Sequence, residues 1–121
     1  MYAIPLLAAA MCLPSCAEPE FQPFVGNSVR VGTGGTVQMV QGVQVWENGD
    51  PPRRYRVLGF MEEEGGTRAT KGTVLNDLAK AAASHGAQAM IVMAAGNRIS
   101  GVDQDELMVR PKVKVMLIRY L

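Results

Sequence analysis

Four groups of side chains in this sequence could bind or transform a ligand, and each has a plainer role open to it. His85 is the only histidine among 121 residues. It ends an alanine-rich stretch just before Gly86, where an imidazolium complements the negative end of a helix dipole. A catalytic imidazole also needs a nucleophile or an acid/base partner, and the spacing nominates none. Glu62, Glu63 and Glu64 form a carboxylate run of the kind that hard divalent cations favour, although such runs ordinarily mark a solvated strand end. Asp103, Asp105 and Glu106 reproduce part of a calcium loop without its sharp-turn glycine or its distant bidentate glutamate. Arg53, Arg54 and Arg56 are the only basic cluster, suited to anionic head groups or simply to an exposed strand face. These residues predict no catalytic site, no metal site and no cofactor.

Interaction chemistry has better candidates. Trp46 and Tyr55 flank Asn48-Gly49-Asp50-Pro51-Pro52, a turn signal, and can form an aromatic contact that is either core or interface anchor. Ile118 lies in an apolar run and becomes an interface candidate if its sheet face is uncovered. Lys and Arg total 12 against 11 Asp and Glu, so the near-neutral balance gives no electrostatic reason to expect nucleic acid.

Cys16 carries a different chemistry. Tyr2 to Met11 is apolar but shorter than the roughly 20 residues of a membrane span, the length of a secretory leader. Leu13, Ser15 and Cys16 resemble the bacterial lipobox, whose cysteine is lipidated. The resemblance implies a signal peptide over 1–15, a lipidated Cys16 with a tether over 16–27, and a single domain over 28–121. It implies an envelope protein held to the membrane by its lipid, with Ala17 after the cysteine leaning toward the outer membrane and its periplasmic side. The partner is then another envelope protein or a second copy in a homo-oligomer. The alternative is cleavage after Ser15-Cys16-Ala17, releasing a soluble periplasmic protein that binds a small ligand or divalent metal through Glu62 to Glu64, Asp103, Asp105 and His85.

The elements that must position these residues are legible in the periodicity. Leu75, Leu78, Ala79 and Ala82 form one apolar stripe, predicting a helix that Gly86 ends in the left-handed conformation. Ala87 to Ala95 reads as a buried strand. Ser28–Val31 and Thr36–Val40 predict a hairpin around Gly32 to Gly35, and Val43–Trp46 and Tyr55–Phe60 predict a second hairpin. Residues 96–111 read as a polar loop, and Lys112 to Tyr120 as the last strand. The strands before and after the helix are expected to run parallel. The sum is an α+β two-layer sandwich, a mixed and mostly antiparallel sheet of four to six strands with one helix packed across it. A single helix covers one face, so the other needs the N-terminal hairpin or a partner.

Val43-Gln44-Val45-Trp46, Tyr55-Arg56-Val57-Leu58-Gly59, the helix stripe and Gly86-Ala87-Gln88-Ala89 together resemble two related groups over about residues 42–95. One is the small bacterial family labelled heavy-metal-binding; the other is the Rcs envelope stress-sensor lipoprotein. The resemblance implies a compact α/β sandwich, and on the lipoprotein side a sensing or interaction role. Both cysteines, Cys12 and Cys16, precede the domain, so the sensor's disulfides have no counterpart here. A lone His85 does not make a soft-metal site.

Overall fold

The computed structural model describes residues 19–26, 28–103 and 106–121. Among them one helix, α1 (Lys71–Ser84), packs against a mixed sheet of seven strands. The strands are β1 (Glu20–Pro23), β2 (Val29–Val31), β3 (Gly34–Val40), β4 (Val43–Asp50), β5 (Arg54–Glu64), β6 (Ala89–Asp103) and β7 (Glu106–Tyr120). Helix on sheet is the expected architecture, but seven strands replace the expected four to six.

The additional strand length comes from two stretches. Glu20 to Pro23, inside the expected tether, pairs antiparallel with Gly59 to Glu62 of β5. Residues 96–111, expected as a polar loop, instead prolong β6 and β7 into one hairpin, with Asn97 opposite Pro111 and Ile99 opposite Val109. Pro111 is tolerated because its carbonyl, and hence its missing N–H, faces the β5 side, where Gly65 N–H donates to it at 2.8 Å.

α1 forms where the stripe places it and begins earlier, because the Thr70 side chain caps it by accepting from Thr73 N–H. Its end is a Schellman arrangement: Gly86 N–H donates to Ala83 O and Ala87 N–H to Ala82 O, with Gly86 at φ +80°. Val74, Leu75, Leu78, Ala79, Ala81 and Ala82 are buried, packed in one core with Val43, Val45, Met61, Met90, Val113, Val115 and Leu117 of the sheet. β5 and β6 run parallel as expected, but β7 lies between them, antiparallel to both.

Neither expected short hairpin exists. Their halves pair with each other: Val29 with Arg56, Val31 with Arg54, Gly34 with Asp50, and Thr36 to Val40 with Glu47 to Val43. This is one long ladder whose true turn is Gln41-Gly42, both at positive φ (51° and 78°), as a two-residue hairpin requires. The glycine-rich stretch and the Asn48 turn signal lie opposite each other and kink the ladder. Gly49, at φ +142°, approaches Gly34 and Gly35 so closely that a Cβ there would collide with the Gly34 carbonyl.

That kink rolls the sheet. β2 and β3 stand at opposite ends of the strand order yet are joined by Gly32 and Thr33 alone. A flat sheet would set them about 24 Å apart, five strand spacings, whereas the link spans at most about 11 Å. The face turned away from α1 is therefore closed over a second core of Tyr55, Val57, Ala89, Ile91, Met116 and Ile118, with Phe24, Trp46, Phe60 and Tyr120 packed on it. The N-terminal segment takes part in that cover through Phe24, but through β5 rather than through a hairpin of its own.

Candidate functional site

The roll decides which predicted interface residues can meet a partner. Ile118 is 0% exposed and Tyr55 1% exposed, so neither can anchor a contact from this position. The reason is the second core, which one-dimensional alternation shows as apolar without showing what covers it. Tyr55 Oη donates to Asp50 Oδ2 at 2.7 Å. Burial first, and then the Asp50 carboxylate, push its hydroxyl up to about 12, so it stays protonated and serves as a fixed donor across the kink.

Trp46 is half-buried at the rim of that core. Its Nε1 donates to Tyr120 Oη at 3.0 Å and lies 3.3 Å from Gln44 Oε1, while Tyr120 Oη donates to the same Gln44 oxygen. Arg53 stacks its guanidinium 4.1 Å from the Tyr120 ring centre. The basic cluster is thus divided, because Arg54 and Arg56 are exposed elsewhere and Arg56 stands opposite Arg119 on β7.

The acidic candidates do not assemble as expected. Glu62, Glu63 and Glu64 line a cleft with Glu20 and Asp77. Glu62 is 3.8 Å from Lys112 and Glu64 is 3.1 Å from Arg98. Burial, then the charge and hydrogen bond of Asp77, push the Glu63 carboxyl up to about 7. His85 is not part of the cleft; it stacks on Phe21 at 4.2 Å. Asp103 and Glu106 pair through their backbones, and their side chains, like Asp105 and Cys16, lie outside the described residues. Among the described residues no group of three ligating side chains could hold a metal ion.

The strongest candidate surface is one that sequence reading passed over, the outer edge of β3. Its seven residues, Gly34 to Val40, include no charge and no proline, although natural edge strands are commonly guarded by both. Val37 and Met39 are 44% and 64% exposed. They lie across from Trp46 and Gln44, so they extend the rim of the second core out to the edge. In a two-residue hairpin the residues flanking the turn are a hydrogen-bonded pair. Thr36, Gln38 and Val40 therefore direct their backbone groups to β4, and Val37 and Met39 direct theirs outward. The absence of charge over this stretch is the signal the sequence offers for it.

No family model, curated protein or solved structure matches the chain.

Proposed function

We propose that the chain is a non-enzymatic envelope protein, anchored through a lipidated Cys16, whose domain binds a protein partner by strand addition at β3. The observation that carries this reading is the uncharged β3 edge, with Val37 and Met39 exposed beside Trp46. Strand addition draws affinity from main-chain hydrogen bonds and selectivity from alternate side chains, and this edge offers both.

The anchor also orients the domain. Only residues 17–19 separate Cys16 from β1, a reach of at most about 14 Å. β1 pairs at Glu62, so the acidic end of β5 would lie nearest the membrane. Arg54 is eight residues further along β5, about 26 Å away. This disfavours a head-group role for the arginines and leaves β3 available to proteins of the envelope.

A photoreactive residue in place of Met39, in cells expressing the full chain, tests the reading. The expected result is an adduct to one protein identified by mass spectrometry, absent when the probe replaces Lys80 on α1. Val37→Pro removes an outward N–H without removing a β4 ladder bond, and should abolish the adduct while circular dichroism is unchanged. Equal adducts from Met39 and Lys80 would sink the proposal.

A further inference from the structure

The β3 edge is complementary to itself, and we infer that its partner is a second copy of this chain, paired β3 to β3 about a two-fold axis through Gln38. This inference rests on β3 being the docking edge and names what docks there. Antiparallel pairing centred on Gln38 sets Val37 against the partner copy's Met39 and Met39 against its Val37. These are the residues whose backbone groups point outward, so both pairs are hydrogen-bonded pairs of an antiparallel ladder, four main-chain bonds in all.

Side chains agree with the same register. Val37 and Met39 project on the Trp46 side of the sheet, so pairing brings four exposed apolar side chains together on that face. On the other side Gln38 meets its own copy, and two primary amides can exchange hydrogen bonds. Thr36 meets Val40. With no charge anywhere from Gly34 to Val40, the two-fold axis brings no like charges together. Shifting the axis to Val37 would leave Met39 opposite Gly35 and lose the apolar match. An interface formed from one patch on both subunits closes at two copies.

Gln38 faces its symmetry mate as a non-hydrogen-bonded pair, at a Cα separation of about 4.5 Å that a disulfide can bridge. The experiment uses the full chain with Cys12→Ser and Cys16→Ser, so that an introduced cysteine is the only thiol. Gln38→Cys should oxidise to a covalent dimer and Thr36→Cys should not, because Thr36 faces Val40. Without the added cysteine, sedimentation should give the mass of two chains, and Gln38→Lys, which sets two ammonium groups face to face, should give one. Gln38 is exposed at the edge, and although it stands opposite Val45 of the first core its own side chain is not buried there, so neither change should alter the circular dichroism.

No covalent dimer from Gln38→Cys, or equal dimer from both positions, overturns the self-pairing. A monomeric chain that still forms a Met39 adduct with a different protein also overturns it while leaving strand addition standing. Failure of both experiments removes the docking edge itself.

Discussion

Trp46 and Tyr120 are 74 positions apart in sequence, and the indole Nε1 of one donates to the hydroxyl of the other at 3.0 Å. This bond ties β4 to the end of β7 at the rim of the second core, with Gln44 accepting from both. Trp46→Phe removes the shared donor and leaves Tyr120 its bond to Gln44. The expected cost in urea unfolding is about 1 kcal/mol for the hydrogen bond, plus the smaller buried area. Tyr120→Phe should cost a similar amount, and the double variant less than the sum, because both donors use one acceptor. Strict additivity would show that the triad does not act as a unit.

The kink makes a sharper prediction. Gly49→Ala places a Cβ against the Gly34 carbonyl at a backbone angle that L-residues rarely adopt. It should destabilise the domain by about 2 kcal/mol or more. Gly66→Ala meets nothing within 4 Å and has no positive φ, so it should be close to neutral. Equal effects in thermal unfolding would mean that the ladder does not bend at Gly49.

Legibility in the sequence followed the range of the interaction. The helix stripe Leu75, Leu78, Ala79 and Ala82, and its glycine stop, rest on contacts within a few residues, and all were readable. Pairing partners were not, because Gly32 to Gly35 and Asn48 to Pro52 are turn signals by composition and become a kink only once they face each other. The turn that does form, Gln41-Gly42, carries a weaker local signature. Ile118 is an interface candidate by periodicity, which reports an apolar face but not the roll that closes it, and Tyr55 is one by its place beside a turn signal that proves to be the kink. The β3 edge required knowing which strand stands last in the sheet.

The first core should respond according to depth. Leu78 is fully buried between α1 and the sheet, so Leu78→Ala should cost about 2–5 kcal/mol. Lys80, two residues on and exposed, should tolerate alanine within about 0.5 kcal/mol. A small effect at Leu78 would mean that the helix does not cover this face.

Stability should also fall as pH rises toward neutrality, because of Glu63. Its carboxyl, ordinarily near 4.5, is pushed up to about 7 by burial and then by Asp77. Below about 4.5 the carboxyl is protonated both folded and unfolded, and its contribution is fully present. Between that pH and about 7 the folded state holds a proton that the unfolded state has released, so stability is lost over this window and levels off above it. The neighbouring groups frame the effect: Glu62 and Glu64 have Lys112 and Arg98 as counter-charges, whereas Glu63 faces the carboxylate of Asp77. Glu63→Gln keeps the shape of the protonated acid and cannot ionise, so it should flatten this part of the profile. At pH 8 it should raise stability by about 1 kcal/mol, a figure reduced for solvent screening at a partly exposed site. Asp77→Asn should flatten the profile less, because burial, the larger cause, remains. Urea unfolding of the three chains at intervals from pH 4 to pH 8 reads the slopes directly. A wild-type profile as flat as that of Glu63→Gln would show that the carboxyl ionises freely and that the pair does not couple β5 to α1.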